Sequence, residues 1–371
     1  MKQQKPAYLQ LYETLREKIT QGIWAYGERI PSRRETAREE GLSVITVEHS
    51  YELLSQEGYI EARPRSGYYV IYRPLDGFVQ VSLPPPRPAA SVQFTPKQEN
   101  GFSFSVLART MRRVITEYGE TLLSKSPNTG CDALRQAIAR YLARNRGINV
   151  GPDQIIIGSG AEYLYGLVVE MLGRDRVYAI ESPSYEKIEQ VYRAKGVTCD
   201  LLPLAHDGIQ SAALAATEAS VLHITPYRSF PRGVTASASK RREYIHWAAE
   251  QERFIVEDDF ESEFSMLRKP EETVFSQSKK ENVIYLNTFT RTVSPAIRVG
   301  YMVLPKRLVP LFSRTVGFYS CTVPAFEQYV LAQLMDNGDF ERHINRIRRM
   351  ERRKQSEKTS RNKPAESQRA D

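Results

Sequence analysis

Between Tyr72 and Gly101 the chain reads YRPLDGFVQVSLPPPRPAASVQFTPKQENG. Proline lacks an amide donor and fixes its own backbone, so no helix or central strand runs through PPPRP. The stretch has neither a two-residue nor a 3.6-residue apolar period, and its prolines favour polyproline II. The chain is therefore expected to fold as two bodies, residues 1–73 and residues 102–353, joined by a semi-rigid spacer over 74–101. Fully extended, residues 74–98 reach roughly 80 Å, at about 3.3 Å per residue. Such a tether lets the two bodies orient independently. A length of 371 residues leaves room for one small and one large domain.

The first body carries clear local signals. Tyr8, Leu11, Leu15 and Ile19 recur at helical spacing, which predicts an amphipathic helix over residues 6–22. Gly22 and Gly27 break it. Ser32 with Glu35 three residues on is a capping box, so a second helix starts there and ends at Gly41. Ser43 caps a third helix with Val47, Tyr51 and Leu54 on its inner face. YIEARPRSGYYVI then alternates like two short strands around a turn at Pro64–Gly67. Helix, helix, tight turn, helix and hairpin make a winged helix-turn-helix, whose third helix enters the major groove of double-stranded DNA.

The spaced patterns GERIPSRR, GLSVITV, YELLSQEG and a wing ending GYYV stand together in one register. They resemble the GntR-type DNA-binding domain over about residues 6–72. The resemblance implies phosphate contacts from Arg33 or Arg34. It places Ser43 and Thr46 at the start of the recognition helix and makes Arg63 and Arg65 wing contacts. Val44 stands where that family usually has an arginine.

From residue 102 apolar strand-like runs alternate with helical ones. The strand candidates are QIIIGS, VYAIES, TCDLLPL, VLHIT, RFIVEDD, VIYLNTF and RVGYMVLP. CDALRQAIARYLARNRG, EYLYGLVVEMLG and YEKIEQVYRAKG have helical periodicity between or before them. Continuous apolar strands alternating with helices predict an α/β fold with a mostly parallel sheet. The GSGAEY loop lies between a strand and a helix. Its backbone groups at Gly160, Ala161 and Glu162 are therefore candidates for holding a phosphate.

SPNTGCDALRQAIARYLARNRGI, GSGAEYLYGL, ESPSYEKI, TPYRSFPRG, VEDDFESEF and TFTRTVSPAIRVGYMVLP follow one another in the order of fold-type I aminotransferases. This part resembles the aminotransferase-like half of MocR-type transcriptional regulators, which join it to a GntR-type domain. The resemblance covers about residues 102–353. It implies a pyridoxal 5'-phosphate site. Tyr185 would lie near the cofactor ring, Asp258 would pair with the pyridine nitrogen, and Thr288 and Arg298 would contact phosphate. Arg298 would do so through its planar fork.

The departures cluster at the functional positions. Arg291 stands where the family has its Schiff-base lysine. An imine needs a neutral amine, and a guanidinium with a pKa of about 13.8 and a delocalised lone pair does not supply one. Phe260 replaces a tyrosine that would bond the cofactor's phenolate oxygen. Arg228 and Ser229 replace His-Gln, and Glu351 takes the place of another tyrosine. Beyond residue 353 the apolar period stops, and residues 354–371 read as a basic polar tail where the family continues into a smaller C-terminal domain. The chain is expected to be truncated there.

Charge and cysteines set the context. The net charge is +8. Residues 1–73 hold 11 bases and 10 acids, whereas residues 339–371 hold 11 bases and 6 acids. Most of the excess thus lies in residues 339–371, and the composition of a polar tail favours solvated disorder. No apolar run is long enough to span a bilayer, and the three cysteines are far apart, so a reducing cytoplasm and no membrane partner are expected. No metal site is expected.

The expected function is a DNA-binding, homodimeric transcriptional regulator. Its pyridoxal-phosphate domain is degenerate, binding that cofactor noncovalently or not at all, with an amino-acid or vitamin B6-type effector. The competing expectations are a working aminotransferase and a non-functional relic of a regulator.

Overall fold

The computed structural model describes residues 5–73, 101–265 and 272–361, with side chains described up to residue 354. The spacer reading falls almost wholly on residues outside these ranges, as does the end of the tail. The chain divides into two compact units, Met1–Phe94 and Thr95–Asp371.

In the small unit, helix α1 (Ala7–Thr20) buries Leu11, Tyr12, Leu15 and Ile19. Strand β1 (Arg29–Ile30) precedes α2 (Arg33–Glu39) and α3 (Val44–Gln56), and the wing is β2 (Ile60–Arg63) with β3 (Gly67–Val70). Two local devices set the helix starts. The Ser32 side chain accepts from the Glu35 amide at 3.3 Å, and the Glu35 carboxylate accepts from the Ser32 amide at 2.7 Å. Ser43 Oγ accepts from the Thr46 amide at 3.1 Å. Val47, Tyr51 and Leu54 then meet Leu15, Ile30, Ile60 and Val70 in one core. The buried Tyr51 hydroxyl is satisfied by the Pro31 carbonyl at 2.7 Å and Thr36 Oγ1 at 2.9 Å. The short strand β1 was not foreseen. It pairs with β3 to make a three-stranded sheet in the order β1-β3-β2.

The large unit opens with α4 (Phe104–Tyr118) and α5 (Asp132–Arg146), the latter stopped by Gly147 in the left-handed region at φ 64°. There follow β4 (Ile155–Gly158), α6 (Ala161–Leu172), β5 (Val177–Ser182), α7 (Glu186–Ala194), β6 (Thr198–Pro203), α8 (Ser211–Ala216) and β7 (Val221–Ile224). Next come α9 (Ala238–Glu250), β8 (Phe254–Asp258), α10 (Val274–Gln277), β9 (Val283–Thr288) and β10 (Gly300–Val303). Helices α11 (Val309–Thr315), α12 (Ala325–Asp336) and α13 (Asp339–Arg361) complete the unit.

All seven strand candidates lie in one sheet, ordered β4-β10-β9-β8-β7-β5-β6. Strands β5 to β9 run parallel to their neighbours, and only β10 is antiparallel, to both β9 and β4. Both faces are covered, which is why the strands read as continuous apolar runs. Along β4, Ile155 and Ile157 face the cluster built with α5 and α12, while Ile156 faces the one built with α6 and α7. Along β8, Val256 joins the α6 side and Ile255 packs with Tyr244 and Trp247 of α9.

Helix α13 continues to Arg361, beyond residue 353 where the apolar period stops. Phe340, Ile344 and Ile347 anchor its start in the core. Once nucleated by packing, a helix extends through Glu, Arg, Lys and Gln without an apolar face, because these residues propagate helix well.

Candidate functional site

The carboxyl ends of the parallel strands and the start of α6 enclose a cavity of about 500 Å³. Ligand crevices in such sheets form at this edge. Ala161, Glu162, Tyr185, Asp258, Phe260, Thr288 and Arg298 all line it, together with Arg291. Gly160 adjoins them as the N-cap of α6, at φ 97°. Residues spread over 139 positions of sequence thus meet in one crevice. Thr225, Arg228, Phe230, Thr290 and the α6 residue Tyr165 also line it.

Asp258 ends β8 and is buried. Its Oδ2 accepts from the Tyr165 hydroxyl, and His223 Nε2 lies 3.8 Å away. His223 is itself held by the Tyr192 hydroxyl at 2.7 Å from Nδ1. Burial first, then the charge of Asp258, raises the Tyr165 phenol well above its ordinary range, so Tyr165 stays a donor. Asp258 Oδ1 is buried with no hydrogen-bond partner. A buried carboxylate oxygen left unpaired at a cavity wall fits a ligand N–H such as that of a protonated pyridine ring.

The first turn of α6 offers amides without intrahelical partners. A Cβ built on Gly160 would lie 3.4 Å from Arg298 Nη2, so the guanidinium closes directly over this turn. Arg298 also lies 3.7 Å from Glu162, whose other oxygen accepts from Lys187 at 3.0 Å. Helix start and guanidinium together fit a phosphate group. The residues present therefore fit noncovalent binding of pyridoxal phosphate.

They do not fit its covalent attachment. Arg291 Nη2 donates to Glu261 Oε1, and Arg228 Nη1 lies 3.8 Å from the other oxygen of the same carboxylate. Arg291 and Arg228 thus converge on Glu261, which is only 14% exposed. Ser229 donates at 2.7 Å to buried Glu181. Burial pushes the Glu181 carboxyl up to about 7. Phe260 lines the cavity with no hydroxyl to offer. Glu261, Tyr165 and His223 were missed from sequence. Two unexpected arginines in one site were the available hint that an acid must lie between them.

In the small unit the DNA-contact candidates divide. Arg34, Arg63 and Arg65 are exposed. Arg65 occupies the wing turn at φ 62°, and the Arg63 guanidinium lies 4.4 Å from the Tyr69 ring centre. Arg33 instead pairs with Glu48 of α3. The hydroxyls of Ser43 and Thr46 lie 2.8 Å apart at the helix start.

Comparison with known proteins agrees with this architecture. Residues 7–70 match the family "Bacterial regulatory proteins, gntR family", and residues 96–363 match "Aminotransferase class I and II". The HTH-type transcriptional regulator YdeL of Bacillus subtilis is 30% identical over 361 residues, covering 95% of this chain and 78% of that protein. The probable rhizopine catabolism regulatory protein MocR of Rhizobium meliloti is 29% identical, covering 93% and 75%. The pyridoxine biosynthesis transcriptional regulator PdxR of Corynebacterium glutamicum is 26% identical, covering 94% and 77%. Among solved structures, an archaeal alanine:glyoxylate aminotransferase superposes with a TM-score of 0.60 at 19% identity, covering 65% of this chain and 62% of that one. The chain thus spans less than two thirds of that enzyme. The family's fold implies pyridoxal-phosphate-related binding, and its GntR domain implies DNA binding. No helix among the described residues is long and apolar enough to cross a membrane. With a GntR winged helix-turn-helix ahead of an aminotransferase-like α/β unit, and with relatives of the same build along nearly its whole length, the chain belongs to the MocR-type transcriptional regulators.

Proposed function

We propose that the chain is a homodimeric regulator whose aminotransferase-like unit recognises a small ligand without catalysing its conversion. The observation that carries this reading is the Arg291–Glu261 pair inside the crevice. A guanidinium so placed is charged and non-nucleophilic. Pyridoxal phosphate, when bound, supplies an electron-withdrawing ring. The residues of this chain would orient that ring through Asp258 and hold its phosphate through the α6 start, Thr288 and Arg298, with Tyr185 and Phe260 alongside. An amino-acid or vitamin B6-type effector would occupy the same crevice.

The small unit would take duplex DNA with α3 in the major groove and the wing alongside. Arg34, Arg63 and Arg65 would contact phosphate, with Ser43 and Thr46 at the helix start. Arg33 would have to leave Glu48 to join them. Because residues 1–73 are nearly neutral, two half-sites held by a dimer would supply much of the affinity.

The test is a titration of purified protein with pyridoxal phosphate, followed by absorbance and by mass spectrometry after borohydride. Saturable binding with no pyridoxyl adduct on residue 291 is expected. An adduct at that residue, or catalytic turnover of an amino acid, would overturn the reading.

A further inference from the structure

The first turn of α3 shows how the DNA-reading surface of this chain differs from a polar one. Val44 is 44% exposed and Ile45 is 66% exposed, while Val47, Ser50, Tyr51 and Leu54 are buried. The helical period therefore points the first two residues away from the core. The hydroxyls of Ser43 and Thr46 bond each other, and Ser43 also accepts the Thr46 amide. The polar groups at this turn are engaged in capping, and it carries no guanidinium, ammonium or carboxamide.

In a winged helix-turn-helix this turn is the part of the recognition helix that meets base edges. Guanine and adenine are read in the major groove by forked donors or amides, which this turn lacks. The complement of an exposed branched aliphatic side chain there is the C5 methyl of thymine. We infer that Val44 and Ile45 read thymine methyl groups, so that each operator half-site carries thymine under the start of α3. This rests on the reading that the small unit binds duplex DNA. The exposed Arg34 and the wing's Arg65 add sequence-independent phosphate attraction, so the methyl contacts contribute discrimination more than bulk affinity.

The experiment uses the full chain and a random-sequence duplex pool. Sequences are enriched by repeated binding, and each thymine of the enriched half-site is then replaced by deoxyuridine, which removes only the methyl. Burying one methyl favours binding by about fourfold. Loss of affinity by about that factor is expected at one or two positions. The double variant Val44→Ser with Ile45→Ser, confirmed folded by an unchanged thermal transition, should bind thymine and deoxyuridine duplexes equally. Enriched duplexes that bind equally well with deoxyuridine throughout would overturn the inference while leaving DNA binding intact. No enrichment over the starting pool would overturn both.

Discussion

Arg291 and Glu261 form an ion pair inside the crevice at the carboxyl ends of the parallel strands, and Arg228 approaches the other oxygen of the same carboxylate. Arg291 is thus not idle. It is fixed by a partner that is largely removed from solvent, and its guanidinium offers no neutral amine to the crevice.

Arg291→Lys is expected to restore borohydride-dependent labelling by pyridoxal phosphate at residue 291 but little transamination. Lysine would inherit Glu261 as a counter-ion, which favours its charged form, and Phe260 would still lack a hydroxyl. Peptide mapping together with an amino-donor turnover assay measures both. Robust turnover by this single variant would sink the idea.

Asp258→Ala should weaken pyridoxal phosphate binding by tenfold or more, since a buried charge-assisted hydrogen bond contributes roughly 1.5–3 kcal/mol. Tyr165→Phe should weaken it less, because the lost hydroxyl acts on the ring only through Asp258. Fluorescence titration of the three proteins gives the order. Equal affinities would mean that the ring does not reach Oδ1.

Arg146 and Asp259 pair where both are almost fully buried, and Tyr285 also donates to Asp259 at 2.8 Å. Arg146→Ala leaves that carboxylate partly uncompensated and is expected to cost about 3–5 kcal/mol. Thermal unfolding of the variant should begin well below that of the parent. A shift within error would show that water enters and solvates Asp259.

Glu181, Glu257 and Glu263 are each pushed up to about 7, by burial above all. The folded chain keeps these protons to near pH 7, whereas the unfolded chain releases them near the ordinary value of 4.5. Their contribution to stability therefore falls as pH rises from about 4.5 to about 7. His343, lowered to about 4 by burial and then by Arg346, acts in the opposite sense between about 4 and 6.5. Glu181→Gln should gain stability over the parent at pH 8, on the order of 2 kcal/mol, and little at pH 5. Denaturant midpoints at the two pH values decide it.

The sequence by itself determined the elements and most of the addresses. Ser32 with Glu35 and Ser43 before Thr46 are local chemistry, acting over three residues, and they fixed both helix starts. The seven strands were legible because burial on both faces removes polar residues from a run. The motif around Arg291 keeps its spacing, and the fold brings that residue to the crevice. Tertiary structure alone decided what those residues meet. Nothing in the RVGYMVLP run states that β10 is inserted antiparallel between β4 and β9. The two-residue β1 is too short to carry a period and exists only by pairing with β3. Glu261 lies thirty positions from Arg291, and Tyr165 lies ninety-three from Asp258. Periodicity and capping report on neighbours along the chain. Pairing across the sheet edge depends on how the strands and helices close around the crevice, and no local pattern carries that information.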